Sequence, residues 1–369
     1  MDRDVPPRVT FWTGVWAPAH EAISKEIARL RRAAGRSWVV SCASHQPYGI
    51  DVRDRVIRVS ADAWPLLRVL AAGLERTGDV THVFGRLDEW HLLRATGARP
   101  VVFTVAIDAP PLPAPVWDRV AVFVAETEAL AASLQRAGVP ASRVRVIHPG
   151  VDLRRYTPSA PPPMHPFRVL FASSPSRVEE FEARGIPLLV ETARRCPDVE
   201  MVLCWRKWGD GSVAEQALRA LRLPDNVRIE QCGPGGMAAM YASAHAVVCA
   251  YAPGFGKSAP NSIIEGLACG RPALVTRDCG LAAVIARGRA GQSVGRSPLD
   301  LAAGIEALRD SYDEYAFAAR RLAESRFDAA RFCADYVGIY GEIAGQGSGV
   351  RDQWSADLKQ PTSNFQLPS

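Results

Sequence analysis

The chain has 369 residues, enough for two domains of ordinary size, and at 48% hydrophobic and 22% charged it has the composition of a soluble globular protein with real cores. A net charge of +5 is too small to argue for nucleic acid, although it tolerates an anionic ligand or an anionic membrane surface. No stretch approaches the length of a membrane span, and the opening "MDRDVPPRVT" is charged without an apolar core, so no signal peptide is expected and the cytoplasm is the expected compartment.

In chain order, "RVTFW" reads as a short strand, followed by a loop with Gly14 and then by "HEAISKEIARLRRAAG", where Ile23, Ile27 and Leu30 have helical spacing. "SWVVSCAS" is a strand, "PLLRVLAAGLER" a helix, "DVTHVFG" a strand, "EWHLLRATG" a helix and "RPVVFTVAI" a strand. "VAVFVAET" is a further strand, "TEALAASLQRAG" a helix, and "SRVRVIHPGVD" a strand and turn. The Pro-rich "TPSAPPPMHP" cannot pair as a strand and reads as a linker over 157–166. The alternation then restarts. "FRVLFASS", "VEMVLCW", "NVRIEQCG" and "HAVVCAYA" are strands, separated by the helices "GIPLLVETARRCP", "SVAEQALRALRL" and "GMAAMYASA". Three late helices follow, and the residues beyond 345 lack periodicity. Strands alternating with helices predict two α/β halves, 1–156 and 167–325, each with a parallel sheet. The eight cysteines (Cys42, Cys196, Cys204, Cys232, Cys249, Cys269, Cys279 and Cys333) form no CxxC pair and read as reduced core residues.

In open α/β sheets ligands bind beyond the carboxyl ends of strands, and two such domains leave a cleft between them. "GFGKSAPNSIIEGLACGRPALVT" follows the strand "AVVCAYA" and packs Lys257, Asn261, Ser262 and Glu265 around a helix start. Pro260 suits the first turn, and the backbone N–H groups of Asn261, Ser262 and Ile263 would face the cleft, where a helix start attracts phosphate. Lys257 adds a positive charge. Glu265 has two readings. It is the partner of Ser262 in a capping box, or it is an acceptor for a sugar hydroxyl. Arg206 and Lys207 follow the strand "VEMVLCW" and are placed to grip a diphosphate; the plainer reading is a solvated loop. In "FASSPSRVEEFEARG", Ser173 and Ser174 end a strand, with Arg177 and Arg184 nearby, and the plainer reading is a surface charge run. In the first half Gly14 follows the first strand, His20 stands at a helix start where it could be a base near an acceptor, and Asp108 lies near a strand end; the plainer reading of His20 is a partly exposed cap residue, and that of Asp108 is similarly plain. His82 and His91 lie near strand ends as well. There is no HExxH, GxSxG or GxxxxGK[ST] motif and no metal cluster in the sequence.

With these residues assembled, the sequence resembles a GT-B glycosyltransferase of the GT4 type, a retaining family. The resemblance runs over most of Ala121 to Ile285 and rests on the order of "VFVAETEALAASLQRAGVPASRVRVIHPGVDLRRYTP" and "SAPNSIIEGLACGRPALVTRDCGLAAVI". It implies two Rossmann-like domains facing across a cleft, with a nucleotide-diphosphate sugar on the second and a hydroxyl acceptor on the first. It also implies a late helix, 326–345, that returns to the first domain. Glu265 would be the second glutamate of the family's EX7E motif and bind the ribose. Asn261 and Ser262 would receive the diphosphate, with Ser174 beside them, and Arg206 and Lys207, or Arg177 and Arg184, would supply basic contacts. Lys257 stands where the family usually has its first glutamate, and Ala106 where it often has a histidine. No conventional protein nucleophile and no metal or other cofactor is expected, so positive groups, Lys257 among them, would stabilise the leaving group. A nucleotide-sugar epimerase of similar architecture and a catalytically degenerate sugar-binding scaffold are the alternatives. The Ala- and Arg-rich composition suggests a bacterial source. The basic first helix, with Lys25, Arg29, Arg31, Arg32 and Arg36, suggests peripheral contact with an anionic membrane; an ordinary solvated helix face is the plainer reading.

Overall fold

A computed structural model describes residues 6–44, 46–86, 92–93, 96, 99–108, 118–175, 177–205, 212–233 and 235–346. Most of the expected helix over "EWHLLRATG", the pair Arg206 and Lys207, and the residues after 346 lie outside the described residues.

The first sheet comprises β1 (Val9–Thr13), β2 (Trp38–Ala43), β3 (Gly49–Asp51), β4 (Val56–Ser60), β5 (Val80–Arg86), β6 (Val101–Ile107), β7 (Val120–Ala125) and β8 (Val144–Val146). Their spatial order is β3-β4-β2-β1-β5-β6-β7-β8, parallel throughout except for β3 against β4. The second sheet comprises β9 (Phe167–Phe171), β10 (Val199–Trp205), β11 (Val227–Gln231), β12 (Ala246–Cys249), β13 (Ala273–Thr276) and β14 (Gly291–Val294), in the order β11-β10-β9-β12-β13-β14 and all parallel. Counted from its own first strand, this is the 3-2-1-4-5-6 order of a dinucleotide-binding fold. Central strands such as "VVFTVAI" and "VEMVLCW" are buried almost end to end because helices cover both faces. Three strands fall where the sequence pattern is weak. β3 has three residues, β14 reads "GQSV", and β4 is a five-residue run preceded by Arg55 and interrupted by Arg58.

The chain crosses between the domains at one tight place. Val151 N–H donates to Phe327 O at 2.6 Å and Ala329 N–H donates to Val151 O at 3.1 Å, so the outgoing and returning chains pair. A Cβ on Gly150 would lie 2.7 Å from Ala329 Cα and 2.8 Å from Phe332 Cβ, so only glycine fits. The helix Ala329–Gln346 then lies on the first domain, burying Phe332, Tyr336, Ile339, Tyr340 and Ile343 against Val9, Phe11, Ile23 and Ile27. Within that layer the buried His82 bridges Tyr340 Oη and Thr104 Oγ1, both at 2.7 Å, and burial pushes its imidazole down to about 3.

The proline-rich stretch 157–166 is fastened down. Arg271, fully buried, donates to Ser159 Oγ at 2.8 Å, to Tyr241 O at 3.0 Å and to Tyr312 Oη at 3.0 Å. All eight cysteines are free thiols.

Candidate active site

The second sheet reverses its strand order between β9 and β12, which opens a crevice above their carboxyl ends. Ser173 and Ser174 leave β9 there, and Tyr251 leaves β12. Tyr251 Oη donates to Ser173 Oγ at 2.6 Å, and Arg184 Nη1 donates to the same oxygen at 2.5 Å. Arg184 is held in place by Glu180, 2.8 Å away, and lies 5.4 Å from the Phe255 ring centroid. Burial pushes the Tyr251 phenol above its usual range. The "EEFEARG" charge run is therefore a short helix, Glu180–Arg184, that delivers one arginine to the crevice. Arg177, by contrast, is exposed and only 3.8 Å from Glu180. Ser174 Oγ donates to Cys204 O at 3.1 Å, tying β9 to the end of β10.

The loop after β12 turns on Gly254 and Gly256, both at φ 71°, a left-handed conformation that glycine adopts without penalty. It leads into the helix Asn261–Ala268. Two expectations are corrected here. Pro260, not Ser262, occupies the N-cap position, and no side chain caps the helix. Ser262 is already inside the helix, so the Ser262–Glu265 capping box does not form. The Glu265 carboxylate instead accepts from Tyr241 Oη at 3.0 Å and lies beside Tyr156, whose phenol is pushed up by burial and then by Glu265. Of the three expected amide donors, Ile263 N–H turns back to Pro260 O at 3.1 Å, leaving those of Asn261 and Ser262 directed outward from the first turn. The helix ends in a glycine cap. Gly270 has φ 71° and Arg271 N–H donates to Gly266 O at 2.9 Å. A Cβ on Gly266 would lie 2.5 Å from Val247, so this glycine lets the helix sit close on β12.

Lys257 does not stand free in the crevice. Its ammonium reaches across to the first domain, 2.5 Å from Glu26 Oε1 and 3.0 Å from Glu126 Oε1, and donates to Asn261 Oδ1 at 3.0 Å. Burial alone would lower this amine; the carboxylates of Glu126 and Glu26 outweigh it and hold it above its usual range. Beside it Ser258 N–H donates to Ala106 O at 2.9 Å, and Ser258 Oγ lies 2.9 Å from Thr127 Oγ1. A Cβ on Gly280 would lie 2.0 Å from Ser258 Oγ, so that position admits only glycine.

Between the domains lies a cavity of about 270 Å³, with Asp108, Ser133 and Arg136 on one wall and Gly254, Phe255 and Gly280 on the other. Asp108 Oδ2 accepts from Ser133 Oγ at 3.1 Å, and Arg136 donates to the same hydroxyl at 2.9 Å. Asp108 thus reaches the cleft. Gly14 follows β1 and its carbonyl accepts from Ser41 Oγ at 3.3 Å. His20 is exposed in the turn before the first helix, whose N-cap is Glu21. Sequence reasoning missed Tyr251, Glu26 and Glu126. Tyr251 was findable as a polar group just after a strand, whereas the glutamates gain meaning only from the facing domain.

Two nucleotide-binding-type sheets, each with its carboxyl ends toward a shared cleft and a polar constellation on the second, define the GT-B class. Residues 168–311 match the family of glycosyl transferases group 1. That match falls within the second domain, and together with the relatives below it supports a glycosyltransferase. It is 27% identical over 336 residues to D-inositol 3-phosphate glycosyltransferase 2 of Catenulispora acidiphila, covering 83% of this chain and 75% of the relative. It is 29% identical over 182 residues to D-inositol 3-phosphate glycosyltransferase of Mycolicibacterium vanbaalenii, covering 44% of this chain and 39% of that one. In fold it is similar to Anabaena HepE, solved with UDP and glucose (TM-score 0.70, 16% identity, 91% of this chain and 100% of that one). It is similar also to sucrose-phosphate synthase from Thermosynechococcus elongatus (TM-score 0.70, 14% identity, 92% and 100%). No helix among the described residues is long and apolar enough to cross a membrane.

Proposed function

We propose that the chain moves a sugar from a nucleotide diphosphate to an acceptor hydroxyl with retention of anomeric configuration and without a metal ion. The observation that carries this reading is the crevice at the β9/β12 reversal, where Arg184, Ser173 and Tyr251 converge beside the start of the Asn261 helix. A diphosphate placed there would meet one fixed guanidinium, two hydroxyls and the outward amides of Asn261 and Ser262. Glu265, one turn further in, is poised to accept from a ribose hydroxyl through the carboxylate that Tyr241 orients. Arg206 and Lys207, after β10, are the further basic contacts in this reading. The solved UDP complexes of HepE, a protein of the same fold, favour a uridine nucleotide as the first donor to try.

The acceptor would enter from the Asp108 wall, with Gly14 and His20 as the further acceptor-side residues of this reading. The test is a panel of nucleotide-sugars read by melting temperature, followed by turnover with the donor that binds. A ligand at one hundred times Kd should add about 2.7 kcal/mol of stability. Nucleotide release that depends on acceptor, continues in the presence of a chelator and retains the anomeric configuration is the expected result. Interconversion of the donor alone would establish an epimerase, and a panel with no binder would remove the enzyme reading.

A second reading concerns peripheral membrane contact. Arg31, Arg32, Arg36, Arg53 and Arg55 line one open concavity of about 510 Å³ together with Trp16, next to the exposed Ile50 and Val52. Clustered guanidinium groups with an apolar rim suit an anionic lipid face. Flotation with anionic vesicles at low salt tests it, and equal recovery with neutral vesicles would reject it.

A further inference from the structure

The seam between the domains contains one ammonium and two carboxyl groups with almost no contact with water. Side-chain exposure is 9% for Lys257, 0% for Glu26 and 1% for Glu126. The three come from separate elements. Glu26 is on the first helix, Ala22–Ala33, Glu126 directly follows β7, and Lys257 is in the loop after β12. Two ionised carboxylates against one ammonium would leave a buried excess negative charge, which is strongly unfavourable. Among the described residues, Glu26 Oε2 and both oxygens of Glu126 accept no hydrogen bond, and the approach of Lys257 to Glu126 Oε1 is close without being aligned as one. A buried carboxylate oxygen without a donor is costly. Both anomalies disappear if the two carboxyl groups hold one proton between them.

We propose that Glu26 and Glu126 are positioning residues that share a proton and, through Lys257, latch the donor-side loop 254–261 onto the first domain. This rests on the cleft being the transfer site. The proton resides on Glu126, whose carboxyl is pushed well above the usual range by burial and further by Glu26, against the opposing pull of Lys257. Glu26 and Lys257 are then an ion pair, and the seam is neutral. The surrounding groups do not supply an alternative proton. His148 spends its Nδ1 on the Glu126 backbone carbonyl, 2.8 Å away. Tyr336, from the returning helix, is bonded to Thr104 and has its phenol pushed far up by burial. Asn261 faces Lys257 through its carbonyl oxygen. The latch directly precedes the Asn261 helix, so its state sets where the outward amides and Glu265 lie relative to the acceptor wall.

The sign follows from linkage. A carboxyl whose folded value is raised stabilises the latched state fully below the ordinary glutamate value and loses that contribution as pH rises toward the raised value. Over that window the ratio of latched to open molecules should fall by up to about tenfold per pH unit. Glu126→Gln keeps the shape and the donor while removing the proton equilibrium.

The experiment is hydrogen exchange of the segment 254–261 in the full chain across that pH range, corrected for the intrinsic base-catalysed rate, together with the pH profile of turnover. In wild type, protection of the Ser258 amide should fall as pH rises. In Glu126→Gln it should stay high and flat, and in Lys257→Met it should be low at every pH. If Glu126→Gln does not fold, Glu26→Gln takes its place: it leaves Glu126 as the one carboxyl beside Lys257, free to ionise as its ion-pair partner, and the fall in protection with rising pH should disappear. Identical pH profiles of protection in wild type and the glutamine variant would overturn the latch. Exchange needs no substrate, so its failure is separable from failure of the transferase reading, which would show as absence of donor turnover.

Discussion

Both sheets reverse their strand order at the corresponding point, β1/β5 in the first and β9/β12 in the second, yet the groups placed there have opposite fates. In the second domain the reversal carries Ser173, Arg184 and Tyr251, polar groups bonded to one another at the crevice. Against the first reversal lies a sealed aromatic layer. His82 is paired with Tyr340 and Thr104, Phe11 lies 5.3 Å from the His82 ring, and the helix Ala329–Gln346 covers them. The shared topology provides a place for a ligand in either sheet. The side chains decide that one place is equipped and that the face of the other is closed by the helix Ala329–Gln346.

The largest effect expected from this contrast is at His82. Its imidazole is neutral when folded, with a value pushed down to about 3 by burial, against about 6.5 for a free histidine. The unfolded chain therefore binds a proton that the folded chain does not. Stability is complete above about pH 6.5 and falls by about 1.4 kcal/mol per pH unit as pH drops toward the folded value. Urea unfolding at stepped pH should show this slope in wild type and a shallower one in His82→Gln. Parallel curves would mean that the layer is open to water and that the two domains differ less than the structure indicates.

Glu265 comes next. With Tyr241 orienting it, Glu265→Ala should cost about 1.5–3 kcal/mol of donor binding, roughly 10- to 150-fold in Kd. Because the carboxylate caps nothing, stability should fall only through the loss of its buried contacts with Tyr241 and Tyr156. Calorimetric donor titration beside a melting curve separates the two. Normal donor affinity with a lower melting temperature would make Glu265 a purely structural residue.

The fold was readable in the sequence wherever apolar runs were long and punctuated. The strand–helix alternation, the glycine stop at Gly270 and the helix Asn261–Ala268 all carry local signals. β3 and β14 were not readable, since short or polar edge strands depend on a neighbour to exist. The site divides in the same way. Glu265, Asn261 and Ser262 announce themselves by position after a strand. Lys257 does so too, but its partners do not, because a lysine and two glutamates separated from one another by a hundred residues or more become a unit only when the domains face each other. The capping-box pattern at Ser262 and Glu265 was misleading for a related reason. The spacing is local, but a tertiary partner, Tyr241, takes the carboxylate.

The smallest effect should separate two arginines only seven residues apart. Arg184 is three-quarters or more enclosed, fixed by Glu180 and bonded to Ser173 at the strand-order reversal. Arg177 has a side-chain exposure of 76% and a loose contact with Glu180. A guanidinium already held at the crevice loses little freedom on gripping a diphosphate, whereas a solvated one must be ordered and stripped of water first. Arg184→Lys should therefore weaken donor binding, since the fork is lost while the charge remains. Arg177→Ala should stay within about 0.5 kcal/mol of wild type, roughly twofold in Kd. The lysine variant is preferred to alanine at 184 because it keeps a positive charge beside Glu180. Titration of both variants with the best donor reads the difference directly. If Arg177→Ala proved the more damaging, the diphosphate would lie nearer the outer rim than the β9/β12 reversal, and the equipped side of the comparison would have to be redrawn around the exposed turn.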